Sequence, residues 1–500
     1  MRCMTPPSPF DADACYRAVV AHDARFDGAF FIGVTSTGIY CRPVCRVKTP
    51  RRENCRFFTH AAQAEGAGFR PCLRCRPELA PQALAWSAQD ASALLARHAA
   101  RLLDSPDAWG DAAPSVAGLA ARLGVSDRHL RRVFEAELGV SPLAWLQTRR
   151  LLAAKQLLAD TRLPIAQVAL AAGFASLRRF NAALAAHYRM SPTALRRQGQ
   201  GAPHGDGIEV VLGFRPPYDV QAMLLFLQQR SLPGVEQVDA DAGTVARTLR
   251  LQVGQRGIGG WVACRFDPGA HRVHVRVADT LAPALPRVIA RVRAWLDLDA
   301  DPAAIHAVLG ADFPSAAGVR VPGTLDGFEL AVRAIVGQQV SVAAARTLTT
   351  RLVARFGEPL ATPIDGLARL FPAPAALAGA SGDELGRLGL VRQRQAALHA
   401  LARAVDAGQL ALHAGADVPA TLAALTALPG IGDWTAQYIA LRALRWPDAF
   451  PAGDVALHKA LGVSSQRHRA RAAQALAERW RPWRGYAAVR AWQTDKVSIS

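Results

Sequence analysis

Nowhere in its 500 residues does the chain hold a run of eighteen apolar side chains, and its start, Met1-Arg2-Cys3-Met4-Thr5-Pro6-Pro7, lacks an apolar signal core. A membrane span needs about 20 such residues and an exported protein needs a leader. A cytoplasmic chain without a membrane partner is therefore expected. Disulfides are scarce in reducing surroundings, so clustered cysteines there read as metal ligands or reactive thiolates. Acidic residues are also short in supply, with 40 Asp and Glu against 59 Lys and Arg, a net charge of +19. That excess favours a polyanionic partner, although the arginine and alanine richness of a GC-rich genome produces the same imbalance. No solenoid-type repeat is evident. At 51% hydrophobic, 500 residues exceed what one core can hold, and three or four domains are expected.

What is present begins with four cysteines in two close pairs, Cys41-x3-Cys45 and Cys72-x2-Cys75. Pairs separated by two or three residues can each converge from one tight turn on a tetrahedral zinc ion. Cys3, Cys15, Cys55 and Cys264 show no such pairing. Arg42, Arg46, Arg70, Arg74 and Arg76 flank the ligands. A zinc ion with four thiolates carries a formal charge of about −2, so these arginines are expected to offset it and to bind phosphate. A zinc-held thiolate stays ionised and can attack an electrophilic methyl group. Spacing alone favours a zinc ribbon without reactivity.

Residues from about 86 to 197 read as helices. Val116-Ala117-Gly118-Leu119-Ala120-Ala121-Arg122-Leu123 breaks at Gly124 and restarts at Ser126, placing Arg128 and Arg131 on the next helix. Ile165-Ala166-Gln167-Val168-Ala169-Leu170-Ala171-Ala172 breaks at Gly173 and restarts at Ser176, followed by Arg178, Arg179 and Asn181. Each is a helix-turn-helix pattern whose second helix begins with the basic and polar side chains a major groove requires. A glycine-rich linker is expected at 199–207. Beyond it, Thr248 to Val253 and His271 to Val277 alternate apolar with polar residues, as half-buried strands do.

The tandem helical units resemble the AraC-type DNA-binding domain. Phe31-Ile32-Gly33-Val34-Thr35-Ser36-Thr37-Gly38-Ile39-Tyr40-Cys41-Arg42-Pro43, Arg52-Glu53-Asn54-Cys55 and Gly68-Phe69-Arg70-Pro71-Cys72 resemble the N-terminal domain of the Ada adaptive-response regulators. That resemblance implies Zn2+ held by Cys41, Cys45, Cys72 and Cys75, with Cys41 accepting one methyl from a DNA methylphosphotriester. The Pro-Cys-His-Arg active site of Ada's alkylguanine methyltransferase domain does not occur.

Leu428-Pro429-Gly430-Ile431-Gly432-Asp433-Trp434 reads as a helix-hairpin-helix turn in which Gly430 and Gly432 bare backbone N–H groups to a DNA phosphate. An ordinary interhelical turn has the same composition. With Asp454 twenty residues on, with Phe214-Arg215-Pro216-Pro217-Tyr218-Asp219 and with Arg333-Ala334-Ile335-Val336-Gly337-Gln338-Gln339, it resembles the AlkA-type DNA glycosylases. The resemblance implies Asp454 as the catalytic carboxylate, Phe226 facing the base pocket and Gln339 at the position of a leucine wedge. Trp434, Tyr438 and Trp492 are the candidates for stacking on the base, against the plainer reading of core packing. Trp434 stands where strand-cutting glycosylases hold a lysine, which implies a monofunctional enzyme.

The resulting expectation is a multidomain protein, mainly α with small α+β modules. Its domains are a zinc module over 1–85, an AraC-type domain over 86–198, the linker, an AlkA-like N-terminal subdomain over 208–300 and a helix-hairpin-helix glycosylase domain over 301–500. The resemblances imply alkylated and promoter double-stranded DNA as partners, RNA polymerase as another, a monomeric state and residence at the nucleoid. Two other readings stay open: a regulator whose second half only binds DNA, and a repair enzyme whose first half is only a docking module.

Overall fold

The computed structural model describes residues 11–81, 91–109, 114–198, 207–253 and 256–497. The expected linker lies outside the described residues except for Gly207, and so does Cys3. The chain forms two compact units. One holds residues up to Pro216 with Gly269–Ala290 and Leu298–Asp301, and the other holds Pro217–Pro268, Arg291–Asp297 and the residues from Pro302 onward. Among the described residues no helix is long and apolar enough to cross a membrane.

The first unit opens with a four-stranded sheet in the order Cys55–Phe58, Phe31–Val34, Ile39–Cys41, Arg70–Pro71, antiparallel except for the last pair. Phe31, Tyr40, Phe58, Ala64 and Phe69 form a core against it. Gly33 is required there because a Cβ would come within 2.8 Å of the Phe58 ring and 2.9 Å of the Phe69 ring. The helical repeats follow as read. Val116–Arg122 leads through Gly124, at φ +66°, to a helix capped by Ser126, whose side chain accepts from the His129 amide. Ile165–Ala171 leads through Gly173, at φ +84°, to one capped by Ser176, which accepts from the Arg179 amide. Between them runs Pro142–Asp160, buried around much of its circumference. Strand Ile208–Gly213 pairs antiparallel with Arg272–Val277 in this same unit.

Two buried polar clusters fasten the long helix to the cysteine-bearing sheet. Lys155 Nζ lies 2.6 Å from Glu78, both nearly inaccessible, and Arg76 bridges Glu78 and Asp160. The other centres on Glu65, which accepts from Tyr40 Oη at 3.0 Å, from Thr148 Oγ1 at 2.8 Å and from Tyr188 Oη at 3.5 Å. Burial pushes this carboxyl up to about 7, against the opposing pull of the three hydroxyls.

A raised carboxyl pKa means that the folded state holds the proton more tightly. The cost is therefore absent below about pH 4.5, grows toward pH 7 and is complete above it. Glu65→Gln keeps an acceptor for the tyrosines and carries no charge. Thermal unfolding of the first unit at pH 5 and pH 8 is expected to show wild type losing on the order of 3 kcal/mol relative to the variant across that window. Parallel profiles would refute the assignment.

In the second unit, Glu236–Asp239, Thr244–Val253 and Arg256–Asp267 form an antiparallel meander. The reading of Thr248 to Val253 as half-buried holds from Leu249 to Gln252, where Leu249 and Leu251 are buried and Arg250 and Gln252 are not; Thr248 departs from it. Thr244–Val253 is buried on both faces from Val245 to Leu249, because Arg247 is covered by ion pairs to Glu236 and Glu329 and Thr248 Oγ1 donates to the Arg369 carbonyl. Arg272–Val277, in the first unit, alternates as expected. The helical core surrounds Gly327–Val336, buried on every side.

Candidate functional site

The first candidate site is built at the end of strand Ile39–Cys41. Cys41 closes the strand, and a turn in which the Cys45 amide donates to the Arg42 carbonyl at 3.1 Å brings Cys45 beneath it. The Cys72 amide donates to the Tyr40 carbonyl at 2.9 Å, extending the parallel pairing and presenting the second ligand pair. All four Sγ atoms lie within 4.8 Å of one another. Zn–S bonds of about 2.3 Å give a tetrahedron with edges of about 3.8 Å, so the spacing fits zinc. The donor set fits as well. The Arg42 amide donates to Cys75 Sγ at 3.4 Å and the Cys75 amide to Cys72 Sγ at 3.5 Å, as electron-rich sulfur requires. Hydrogen bonds from Cys41 pull Cys45 and Cys72 down, while Cys41 itself is pushed up through its bonds to Cys45 and Cys72. Four thiolates this close repel one another, and a divalent cation is what allows all four to ionise. Cys41, Cys45 and Cys72 are buried and Cys75 is partly exposed.

The flanking arginines divide. Arg42 is buried in an ion pair with Asp27 and donates to the Cys75 carbonyl at 3.1 Å. Arg76 is held by Glu78 and Asp160. Neither faces solvent as a phosphate ligand would, which corrects the expectation for these two. Arg46 and Arg74 are exposed and Arg70 is half-exposed. Asp27 and Glu65 carry no local sequence signal, because their partners lie far along the chain.

Arg128, Arg131, Arg178 and Arg179 are all exposed on the first turns of their helices. Arg131 also pairs with Asp127 at 2.9 Å, an i,i+4 contact that presents it along the helix face.

The second candidate site lies in the second unit. Asp454 caps helix Val455–Ala460, its Oδ1 accepting from the Leu457 amide at 2.8 Å. Two indoles converge on the same carboxylate, Trp492 Nε1 on Oδ1 at 3.1 Å and Trp434 Nε1 on Oδ2 at 2.9 Å. One turn of helix Asp433–Arg442 separates Trp434 from Tyr438, so their rings stack, 5.5 Å apart and 13° from parallel. Tyr438 and Trp492 approach to 6.3 Å at 52°. The three aromatic residues are only partly buried, and Tyr438 also packs against the helical core.

Phe226 joins this group through Arg442, whose guanidinium lies 4.9 Å from the Phe226 ring and 5.3 Å from that of Tyr438 and donates to the Tyr438 hydroxyl. Arg230 covers Phe226 at 3.8 Å. Burial pushes the Tyr438 phenol up, but Arg442 and Arg230 more than offset it, and the net shift is downward. Neither arginine stands out in the sequence. Both are legible only once Phe226 and Tyr438 are known to be neighbours.

Gly430 and Gly432 form the turn between helices Val418–Ala427 and Asp433–Arg442. Gly430 needs its freedom, with φ +74°. Gly432 does not, since a Cβ there would meet nothing within 4 Å. Beside the turn, Gln338 Nε2 donates to the Gly430 carbonyl at 2.9 Å and to Thr435 Oγ1 at 3.0 Å. Gln339, next to it, is exposed at the tip of the loop between Gly327–Val336 and Val342–Phe356, with φ +54°.

Four families match along the chain. They are the metal binding domain of Ada over 14–78, a helix-turn-helix domain over 119–198, the AlkA N-terminal domain over 209–326 and the HhH-GPD superfamily base excision DNA repair protein over 332–484. The "probable bifunctional transcriptional activator/DNA repair enzyme AlkA" of Mycobacterium tuberculosis is 40% identical over 501 residues, spanning 97% of this chain and 96% of the relative. DNA-3-methyladenine glycosylase 2 of Escherichia coli is 37% identical over 286 residues, 57% of this chain and 96% of its own. The bifunctional transcriptional activator/DNA repair enzyme Ada of Escherichia coli is 39% identical over 138 residues, 28% of this chain and 36% of its own. With four matching domains in one order and full-length identity to a bifunctional relative, the chain belongs to the family that joins an Ada-type zinc-binding, helix-turn-helix transcriptional activator to an AlkA-type DNA glycosylase.

Proposed function

We propose that this chain both registers alkylation of DNA and removes alkylated bases. The observation that carries the enzymatic half is the convergence of two indole N–H groups on the Asp454 carboxylate beside half-exposed stacked rings. The N-glycosidic bond breaks with its electron pair passing to the base, and positive charge builds on the sugar. Asp454, oriented by Trp434, Trp492 and the Leu457 amide, faces that charge, and water completes the hydrolysis. Trp434, Tyr438, Trp492 and Phe226 select the flipped base by stacking, while Gln339 fills the gap left in the duplex. No lysine replaces Trp434, so the reaction ends at base release. A base such as 3-methyladenine, cationic before it leaves, suits both the carboxylate and the aromatic walls.

For the regulatory half, Cys41 Sγ forms a bond to the methyl carbon as the O–CH3 bond of a methylphosphotriester breaks, leaving a phosphodiester anion and a neutral thioether. Zn2+, when bound, keeps the sulfurs ionised at neutral pH. The cluster then carries one negative charge less, and attraction to DNA rises. Arg128, Arg131, Arg178 and Arg179 contact promoter DNA, and RNA polymerase is the partner recruited there. The assigned domains are 1–85, 86–198, 208–300 and 301–500, and the chain acts as a monomer at the nucleoid.

Release of free 3-methyladenine from alkylated duplex DNA by the intact chain tests the enzymatic half. Absence of release would leave a DNA-binding regulator. The open space at Gly432 supplies a finer test. Gly432→Ala is expected to leave the melting temperature unchanged while weakening duplex binding roughly tenfold, because the added methyl occupies the approach of a phosphate. Unchanged duplex affinity would show the hairpin to be an ordinary turn.

A further inference from the structure

Outside the sites above, one cleft in the first unit is lined by both the cysteine-bearing module and the second helix-turn-helix. It has a volume of about 350 Å³, and its walls are Arg70, Leu73, Tyr188, Arg189 and Met190. Arg70 stands two residues before the ligand Cys72, and Leu73 lies between the ligands Cys72 and Cys75. Tyr188 and Arg189 end the helix Leu177–Tyr188, on whose first turn Arg178 and Arg179 sit. The lining holds two cations and no acid. Neither guanidinium has a hydrogen-bond or ion-pair partner among the described residues, unlike Arg42 and Arg76 nearby, which are spent on carboxylates.

The walls of this cleft are fixed to one another. The Arg70 amide donates to the Gly38 carbonyl at 2.9 Å and the Arg189 amide to the Ala185 carbonyl at 3.1 Å. Tyr188, and Tyr40 on the strand that pairs with Arg70–Pro71, share the buried Glu65 carboxylate. Arg189 is itself held at φ +54°, a left-handed conformation that a non-glycine residue keeps where the surroundings over-determine it. Two unpartnered guanidiniums on a rigid, acid-free cleft are suited to a tetrahedral oxyanion, since each presents a planar fork of N–H donors.

We propose that Arg70 and Arg189 together grip one backbone phosphate of duplex DNA, so that the methyl-accepting module and the second helix-turn-helix share a single strand contact. A chain of net charge +19 with a matched helix-turn-helix domain favours DNA over free phosphate as the source. The proposal extends the reading of the first unit as a DNA-damage sensor. A strand held in this cleft passes the loop that carries Cys72 and Cys75, and the second recognition helix is thereby set relative to the strand being sensed.

The test uses the full chain on an undamaged duplex. Arg189→Gly suits the backbone at that position and removes the whole side chain with its guanidinium, while Arg70→Ala removes the other guanidinium. Each is expected to weaken binding roughly fivefold near 0.1 M salt and to lower the slope of log affinity against log salt by about 1. The double variant should also lose only about one unit of slope, because both side chains address one phosphate. A loss of about two units would mean two separate phosphates and overturn the shared site, as would unchanged binding in both single variants. If Arg70→Ala lowers the melting temperature, Arg189→Gly decides alone. Inorganic phosphate at constant ionic strength forms the other arm. Phosphate binding that both substitutions abolish, with duplex affinity untouched, would assign the cleft to the free ion and overturn the proposal. Methyl uptake on Cys41, followed by mass spectrometry in the same preparations, shows separately whether the sensor reading itself fails.

Discussion

Replacing Asp454 by asparagine is expected to lower base release by roughly 10³-fold or more under single-turnover conditions. The substitution is nearly isosteric and keeps the helix cap, since asparagine accepts from the Leu457 amide as well as aspartate does. What it removes is the negative charge facing the sugar and one of two acceptors for the indoles. Trp434 and Trp492 each donate to a different oxygen of the carboxylate. An amide nitrogen on either side would meet an N–H donor, so one ring loses its anchor. A modest fall in melting temperature, with duplex binding retained, should therefore accompany the loss of rate. If the variant kept more than about a tenth of the wild-type rate, electrostatic stabilisation by Asp454 would be excluded as the main source of catalysis.

Much of this was legible in the sequence where the physics is local. Two cysteine pairs with short spacers announce a metal centre because each pair can only converge, and the four sulfurs do lie together. Ser126 and Ser176 after Gly124 and Gly173 announce helix restarts because caps and left-handed glycines act within a turn. Trp434 and Tyr438 sit at i and i+4 and stack accordingly. Arg42 and Arg76 show where this reasoning ends. Nothing local distinguishes a guanidinium aimed at DNA from one buried against a carboxylate such as Asp27 or Asp160. Whether a charge is buried depends on a partner supplied by the tertiary fold. Arg230 and Arg442 were missed for the same reason, since Phe226 and Tyr438 meet only after the helices of the second unit have packed.

The buried contacts of the first unit also bear on regulation. Tyr40, the residue before Cys41, reaches Glu65, and Glu65 reaches Thr148 on the long helix and Tyr188 at the end of the second recognition helix. Glu78, three residues after Cys75, meets Lys155 on the same long helix. The sulfur cluster is thus joined on both sides to the element between the two helix-turn-helix units. Under the proposed methyl transfer, a charge change at Cys41 would arise in a module hydrogen-bonded to the helical domain rather than tethered beside it.

The other large effect is expected at Cys41. Cys41→Ser should abolish methyl uptake, leaving no added methyl by mass spectrometry after incubation with DNA carrying methylphosphotriesters. A serine hydroxyl does not ionise near neutral pH, so neither a nucleophile nor a fourth anionic ligand remains. Cys45→Ser, Cys72→Ser and Cys75→Ser should retain Cys41 and lose activity through the metal, and added zinc should partly restore it. Rescue of those three but not of Cys41→Ser distinguishes a nucleophile from a holder. Equal rescue of all four would make the cluster purely structural. Cys75 is the most exposed of the four, so a methyl found there instead would reassign the acceptor on grounds of access. Chelation carries the same logic further. Structural zinc contributes on the order of 10 kcal/mol to folding in small modules, and four sulfurs within 4.8 Å of one another have no other means of ionising together. Zinc removal is therefore expected to end methyl uptake and to lower the melting temperature of the first unit, while base release in the second unit continues unchanged.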